Sequence, residues 1–200
     1  PLPRAIPQYR FHALNLRGQG SDSVAERRGM ALDVPTQMLD IASFIRALRQ
    51  AYPNTPVFLL GESMGSLLSI AYMNWVQKVG EDDHAVDGVI LSVPVVGLRQ
   101  KVPSPVRWAM QSLARIFPRA KLPPGLFVAA RNTSPPLTRD RDYQDSLLRK
   151  PYHIPSFSIR FLVEMGGLIE DSQPLAESLD SPVLVLSAGK DCFVTPAQID

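Results

Sequence analysis

The stretch from Val57 to Trp75, VFLLGESMGSLLSIAYMNW, constrains the fold more than any other part of the sequence. Four apolar residues, Val57–Leu60, run directly into the turn Gly61–Gly65, and apolar residues at helical spacing follow. An apolar run without polar alternation predicts a strand of a parallel sheet covered on both faces. The spacing after the turn predicts a largely buried helix over Ser66–Val79. A G-x-S-x-G turn with no spacer before or after it is typical of a strand-to-helix turn that exposes a nucleophilic serine, here Ser63.

The two glycines around Ser63 are expected for a steric reason. A serine on a sharp strand-to-helix turn adopts a strained backbone conformation that projects its side chain away from the sheet. We expect Gly61 and Gly65, two residues before and after it, to crowd neighbouring backbone and therefore to lack side chains. The following helix would direct unpaired N–H groups at this point, and the Met64 N–H would bind an oxyanion formed next to Ser63.

Strands and helices alternate on both sides of this turn. Residues 10–16 read as a strand followed by a glycine-dependent turn, and Thr36–Tyr52 reads as an amphipathic helix. Further strands are predicted at Val89–Val93 and Val183–Ser187. This alternation predicts the α/β class, with a mostly parallel sheet wrapped by helices.

The middle of the chain is less regular, because ten of the 19 prolines fall between Pro94 and Pro155. Pro105–Phe117 predicts an amphipathic helix, and the mixed-sign charges of Arg139–Lys150 indicate a solvated surface. Phe157–Met165 predicts a helix that the next two glycines, Gly166 and Gly167, would end.

We interpret residues 98–179 as a helical cap inserted over the carboxyl edge of the sheet. Residues 1–97 and 180–200 would then form the core of one domain. The alternative interpretation of this section is a long connecting segment that contains helices but does not form a cap.

Several of these segments together resemble the α/β-hydrolase superfamily. Leu16–Ser21 is similar to a D-x-R-G-x-G-x-S loop with Asn15 at the aspartate position, and Gly61–Gly65 is similar to the nucleophile elbow. Val86–Pro94 resembles the strand that follows, and Ser181–Asp191 resembles the acid-bearing strand and loop. The branch is that of monoglyceride lipases, lysophospholipases and serine-aminopeptidase-like (S33-type) hydrolases. The resemblance implies an α/β-hydrolase fold with a cap; Ser66 stands where the branch usually has glycine.

The resemblance also implies a catalytic triad in the chain order serine, acid, histidine. Ser63 would be the nucleophile and Asp191 the acid; a simple turn aspartate is the other interpretation of Asp191. Asp87 is a rival acid, but it precedes its strand instead of following it.

None of the three histidines follows Asp191, so the triad histidine is absent from these residues. His12 is expected in the first strand as a packed residue, His84 in a solvated loop, and His153 on the surface of the cap. The expectation is therefore a chain truncated at both ends, inactive without its remaining segments.

The predicted activity is cleavage of carboxylic esters with an apolar acyl group, lipid-like substrates such as a monoacylglycerol or lysophospholipid being favoured. Trp108, Met110 and Phe117 of the cap helix would line the acyl site or pack against other helices. A peptidase or amidase with the same triad is one alternative function, and a non-catalytic binding scaffold is another.

The amino-acid composition limits the kinds of molecule that the protein is expected to bind. Lysine and arginine are scattered and the net charge is only +2, so nucleic acid is not an expected partner. The chemistry needs neither cofactor nor metal; the partner is a small acyl ester, with peripheral contact to lipid left open. The single cysteine, Cys192, excludes an internal disulfide and slightly favours a cytoplasmic location. No apolar run reaches the roughly 18 residues of a membrane span.

Overall fold

The computed structural model describes residues 2–20, 22–80, 82–98, 102–122, 140–189, 191 and 194–199. Within these ranges the helices are α1 Leu2–Ala5, α2 Val34–Ala51, α3 Met64–Val79, α4 Ser104–Ile116, α5 Arg141–Leu148 and α6 Ile159–Glu177. The strands are β1 Phe58–Glu62, β2 Gly88–Ser92, β3 Lys121–Leu122, β4 Phe157–Ser158 and β5 Val183–Leu186. Single 3₁₀ turns lie at Ala25–Arg27, Asp82–His84 and Pro196–Gln198.

The main sheet is parallel, as the sequence predicts. Its strand order is β1-β2-β5, with Gly61 opposite Leu91 and Ser92 opposite Leu186. The carboxyl ends of all three strands therefore lie at one edge. A separate antiparallel pair, β3 and β4, joins two segments within the predicted cap. The predicted α/β-hydrolase architecture is confirmed at this level.

Helix α3 is the centre of the hydrophobic core. It packs against β1 and β2 on the sheet and against helices α2 and α6. Its buried side chains include Leu67, Leu68, Ile70 and Tyr72, each at most 1% exposed. Burying such side chains stabilises the fold by roughly 1.5–3 kcal/mol each, before entropy is considered. The core thus fixes the helix that begins immediately after Ser63.

The prediction that the apolar run Val57–Leu60 is covered on both faces is wrong, and β5 is exposed as well. Phe58 and Leu60 of β1 are exposed, and all four residues of β5 are exposed. Successive side chains of a strand point to opposite faces, so one face of β1 meets α3 while the other meets no described element. Only the central strand β2 buries most of its residues, Val89 and Leu91 among them.

Two further element predictions are wrong. Residues 10–16 form no strand, since they pair with no described strand and Phe11 and His12 are exposed. The turn after them is present, with positive φ angles at Gly18 and Gly20.

Gly166 and Gly167 do not end a helix, because α6 continues through both to Glu177. Its buried residues Phe161 and Leu168 lie on either side of the two glycines, so tertiary packing outweighs the weak local propensity.

Residues 98–179, predicted as a cap, contain α4, α5 and α6. Helix α6 packs on α3 of the core, and α4 packs on α6. Helix α5 has no buried residue, in line with the solvated surface expected from its charges. Among the described residues, none of the helices combines the length and the apolar composition that crossing a bilayer requires.

Candidate active site

Ser63 occupies a strained position between a strand and a helix. It follows the last residue of β1 directly, precedes the first residue of α3, and has φ +52° and ψ −114°. A positive φ at a residue other than glycine is uncommon and costs on the order of 1–3 kcal/mol. The side chain is exposed to solvent at the carboxyl edge of the sheet. The strained, outward-facing serine expected from the motif is therefore present.

The steric role expected of the two glycines is found at only one of them. A Cβ atom added to Gly61 would lie 2.4 Å from the carbonyl oxygen of Gly65 and 2.5 Å from the Ser69 hydroxyl. A Cβ added to Gly65 would meet no atom within 4 Å. The first turn of α3 thus approaches β1 so closely that only glycine fits at position 61. The expectation of equal crowding at position 65 is wrong, because the space beside that residue is open.

A buried hydroxyl fastens the turn to the sheet. The Oγ of Ser66 donates to the Gly61 carbonyl at 2.8 Å and lies 3.2 Å from the Ser92 carbonyl. The backbone N–H of Ser63 donates to the same Ser92 carbonyl at 2.9 Å. Sequence reasoning treated Ser66 only as a tolerated small residue. The sequence did offer one indication of this role, namely a hydroxyl residue in the first turn of a helix that directly follows a strand.

The end of β2 links the strand of Ser63 to the strand that precedes Asp191. Val93 has φ +48°, which is rare for a β-branched residue, and its N–H donates to the Leu186 carbonyl at 2.7 Å. The Ser92 carbonyl accepts a hydrogen bond from the Ser63 N–H. Residues 92 and 93 are therefore hydrogen-bonded to the ends of both neighbouring strands. Backbone strain therefore occurs twice at this edge, at Ser63 and at Val93. The sequence analysis did not predict the strain at Val93.

Asp191 lies beyond the carboxyl end of β5, at the same edge as Ser63. Its carboxylate accepts a hydrogen bond from the Val194 N–H at 3.1 Å, and its side chain is half-buried. This contact is typical of an aspartate that stabilises its own turn. The strand order places β2 between the strands of the two residues. The triad role of Asp191 remains a prediction.

The rival acid, Asp87, lies at the opposite edge of the sheet. It precedes β2, and its carboxylate accepts from the Val57 N–H at 2.7 Å and from Arg49 at 2.8 Å. Burial raises the pKa of Asp87, but these two hydrogen bonds outweigh that effect and hold the pKa below its usual value. Asp87 therefore connects the start of β2 to the residue before β1 and to helix α2.

The histidines are placed away from the elbow or on the surface. His84 is only 5% exposed, contacts the Trp75 ring and lies 2.7 Å from an Arg46 nitrogen, so the prediction of a solvated loop is wrong. It precedes β2 and thus lies at the edge opposite Ser63. His12 is exposed beside Tyr52 instead of being packed in a strand. His153 is exposed, in line with the surface position expected of it.

The glycine-rich loop after residue 16 is organised around one buried carboxylate. The buried carboxylate of Asp22 accepts from the Gly18 N–H at 2.6 Å, the Val24 N–H at 2.9 Å and Arg27 at 2.9 Å. The two backbone N–H groups, with Arg27, lower the pKa of Asp22 to about 2. Sequence reasoning compared this loop with a family motif but missed Asp22 as its centre.

A cavity of about 440 Å³ lies between this loop and the residue Arg119 that follows α4. Leu32, Asp33 and Gln37 form part of its wall, and Ser63 does not line it. The cavity is therefore not assigned to the site at Ser63. Cys192, predicted behind the acid loop, lies outside the described residues, as does Lys190.

Comparison with known proteins identifies the family. The family model described as serine aminopeptidase, S33, matches residues 5–200. The chain belongs to this family of α/β-hydrolases. Phospholipase YtpA of Bacillus subtilis (strain 168) is 31% identical over 188 residues, which cover 92% of this chain and 66% of YtpA. The chain thus spans about two thirds of the length of that relative.

Two solved structures of hydrolases show the same fold. The monoacylglycerol lipase of Paleococcus ferrophilus has a TM-score of 0.69 and 25% identity, over 92% of this chain and 63% of the lipase. A thermostable carboxyl esterase from Bacillus coagulans has a TM-score of 0.56 and 14% identity, over 86% of this chain and 70% of the esterase. At that identity the second similarity supports the fold alone.

Proposed function

We propose that this S33-family protein is a serine hydrolase that cleaves carboxylic esters with an apolar acyl group. The observation that carries the proposal is the exposed serine at φ +52°, held at the junction of β1 and α3. A fold tolerates such strain where the surrounding structure requires it, and such positions cluster at active sites. The similarity to a monoacylglycerol lipase and to a phospholipase supports a lipid-like substrate, such as a monoacylglycerol or lysophospholipid.

The proposed reaction begins with attack of the Ser63 hydroxyl oxygen on the ester carbonyl carbon. A histidine accepts the hydroxyl proton, and the Met64 N–H stabilises the oxyanion of the tetrahedral intermediate. Collapse of the intermediate releases the alcohol, which takes the proton from the histidine. The histidine then takes a proton from water as the water attacks the acyl-enzyme. The bond between the acyl carbon and the Ser63 oxygen breaks, the carboxylic acid leaves, and the histidine returns the proton to Ser63.

The histidine of this proposal comes from sequence outside residues 1–200. The positions of His12, His84 and His153 favour this, as does the shorter span of the chain relative to its family. Asp191, at the same sheet edge as Ser63, would orient that histidine and stabilise its charged form.

The experiment is active-site labelling of the full-length protein with a fluorophosphonate, together with hydrolysis of p-nitrophenyl esters from C2 to C12. Ser63→Ala is expected to abolish labelling and to lower turnover by about 10⁴-fold or more. Ser43→Ala, an exposed serine on α2, is the matched control and should keep both. Labelling that survives Ser63→Ala, or an unlabelled wild-type protein, would remove Ser63 from catalysis and favour a binding scaffold.

A peptidase or amidase activity is the second candidate, favoured by the description of the family as serine aminopeptidase. Fold alone does not choose between the two bonds. Aminoacyl nitroanilides tested beside the ester panel separate them. Faster cleavage of the anilides than of every ester would replace the esterase proposal with the peptidase one.

A further inference from the structure

The cavity of about 440 Å³ lies where the glycine-rich loop, the start of α2 and the cap meet. Its volume falls in the range of small-molecule sites, about 300–1,000 Å³. Met30 and Ala31 give it an apolar part. Six of its lining residues are charged or polar: Arg17, Glu26, Arg27, Asp33, Gln37 and Arg119. Neither Ser63 nor Asp191 lines it, so the cavity needs an explanation of its own.

The wall of this cavity is held from both the core and the cap. Glu164 of α6 accepts hydrogen bonds from the backbone N–H groups of Leu32 at 2.6 Å and Asp33 at 3.1 Å. Ser158, which precedes α6, donates through its hydroxyl to the Met30 carbonyl and through its backbone N–H to the Gly29 carbonyl. These hydrogen bonds fix the wall before a ligand enters, which reduces the entropic cost of binding.

Gln37 leaves one buried acceptor of the wall without a donor. The residue is only 1% exposed, and its Nε2 donates to the Arg17 carbonyl at 2.8 Å and to the Leu32 carbonyl at 3.2 Å. Because both amide hydrogens are used in this way, the positions of nitrogen and oxygen are settled. No described residue donates to Oε1. A buried amide oxygen without a donor is destabilising, so this position favours a ligand that brings one.

Arginine side chains leave donors unused on the same wall. Arg27 donates through Nη2 to Asp22 at 2.9 Å, whereas its buried Nε–H has no acceptor among the described residues. Arg119, which follows α4, is exposed and forms no ion pair within the described part of the chain. Arg17 differs, because Asp40 binds it through two hydrogen bonds of 2.8 and 2.7 Å. Arg27 and Arg119 can therefore still donate to an anionic group.

Asp33 supplies a carboxylate that the protein does not use. It occupies the N-cap of α2, where an aspartate side chain normally accepts a hydrogen bond from the first turn. Here the side chain makes no such bond, and the backbone has φ +47° and ψ +60°. No other described residue forms an ion pair with it. A residue that combines a strained backbone with an unused charge is a candidate for ligand binding.

The balance of charge decides which class of ligand fits. Asp22 and Asp40 neutralise two of the three arginines on the wall. Among the described lining residues, this leaves Arg119 as the free cation and Asp33 and Glu26 as the free carboxylates. A simple anion such as phosphate would face more free carboxylates than free cations, and a simple amine would leave the arginine donors unused. A molecule that carries both an ammonium and a carboxylate matches both signs.

We propose that this cavity binds an α-amino acid with an apolar side chain. The ammonium donates to the Asp33 carboxylate and to Oε1 of Gln37, and the carboxylate accepts from Arg27 and Arg119. The side chain packs in the apolar part of the cavity, beside Met30. The proposal stands on the cavity alone and goes beyond the proposed hydrolase function.

The test is isothermal titration calorimetry of the full-length protein with L-leucine. We expect one site with a dissociation constant on the order of 1 mM or lower. Three probes separate the recognised groups: isopentylamine lacks the carboxylate of leucine, isocaproate lacks its ammonium, and inorganic phosphate offers negative charge alone. Each should bind at least about tenfold more weakly than L-leucine, because each satisfies only part of the wall.

Variants of the wall locate the site. Asp33→Asn removes the charge but keeps a residue that tolerates a left-handed backbone, and the affinity for L-leucine should fall about tenfold or more. Arg119→Gln should lower the affinity about threefold, since an exposed ion pair is weaker. Asp142→Asn and Arg141→Gln on exposed α5 remove the same charges elsewhere and should change the affinity by less than about twofold. Ser63→Ala should bind L-leucine like the wild type, since Ser63 does not line the cavity.

Each outcome supports or overturns the proposal. L-leucine binding that is selective over the three probes, weaker in both wall variants and retained in the α5 and Ser63 variants supports it. Failure to bind L-leucine, equal binding of any of the three probes, or unchanged affinity in either wall variant overturns it. Loss of binding in Ser63→Ala would also overturn it, because the ligand would then occupy the site at Ser63. Ester hydrolysis is measured separately, so failure of the proposed function leaves this result unaffected.

Discussion

Helices α3 and α4 look alike in sequence and differ completely in what covers them. Helix α3 has 16 residues and buries eight of them, whereas α4 has 13 residues and buries none. Both carry apolar residues at helical spacing. Among the described elements, α3 contacts the sheet, α2 and α6, while the main contact of α4 is with α6. The apolar side chains of α3 therefore stabilise the fold, whereas those of α4 contribute little to the packing of the described residues.

The two helices also begin differently, and this bears on function. Helix α3 starts against the ends of β1 and β2, with Gly61, Ser63 and Ser66 in direct contact with neighbouring backbone. Helix α4 starts after Pro103, whose side chain supplies no cap hydrogen bond. A nucleophile needs a fixed backbone, so a strained serine can be held at the first start and not at the second.

The largest difference is expected on truncating a side chain in each helix. Leu68→Ala in α3 should lower the free energy of unfolding by about 2–5 kcal/mol, since it leaves a cavity in the core. Ile116→Ala in α4 should change it by no more than about 0.5 kcal/mol. Urea unfolding of the full-length variants measures both. A comparable loss at Ile116 would mean that α4 is covered in the full-length protein, and the contrast with α3 would fail.

A second difference is expected between the two glycines at the start of α3. Gly61→Ala places a Cβ against the Gly65 carbonyl and should cost about 1–3 kcal/mol or more. Gly65→Ala enters open space inside a helix and should be neutral or stabilising by up to about 1 kcal/mol.

Thermal melts and ester hydrolysis of both variants check this prediction. Hydrolysis should fall in Gly61→Ala, since the elbow must shift to admit the methyl group. If Gly65→Ala proves the more damaging of the two, the close approach lies on the other side of the turn.

Charge extends the comparison, because the carboxylate of Asp22 is buried whereas the basic side chains near α4 are exposed. The folded-state pKa of Asp22, about 2, is below its ordinary value of 3.8. Its contribution is therefore present above about pH 4 and is lost as the pH falls from about 4 towards 2. Asp22→Asn should lower stability at neutral pH and flatten the dependence of the urea midpoint between pH 6 and pH 3. Asp142→Asn, on exposed α5, should leave that slope intact; an unchanged slope in Asp22→Asn would contradict the assignment.

The smallest effect concerns one hydroxyl in each helix. Ser66→Ala removes the hydrogen bonds to the ends of β1 and β2 and should cost about 0.5–1.5 kcal/mol. Ser112→Ala in α4 should lie within about 0.5 kcal/mol of wild type. Urea midpoints measure stability, and the kcat of the ester reaction should fall for Ser66→Ala, since Ser63 loses a support. Equal stabilities together with unchanged kcat would show that Ser66 does not position the turn.

The sequence by itself determined the local features of this protein. Helices α2, α3 and α4 and strands β1, β2 and β5 were predictable, because helical and extended periodicity in apolar residues reflects burial on one side of each element. The strained turn at Ser63 was predictable because glycine, serine and glycine between a strand and a helix leave few backbone solutions. The parallel sheet followed from the alternation of these elements.

The tertiary structure decided everything that depends on contacts distant in sequence. The same apolar pattern leaves Phe58 and Leu60 exposed and buries Ile41 and Ile45, since periodicity tells which side chains align and not which face is covered. His84 is buried against Trp75 although it lies among acidic residues, because Arg46 from another element reaches it. Gly166 and Gly167 stay helical since α6 packs on α3 and buries Phe161 and Leu168 on either side of them. Ser66 and Val93 gain their roles only when the ends of three strands meet, because their hydrogen bonds join residues that no local pattern relates.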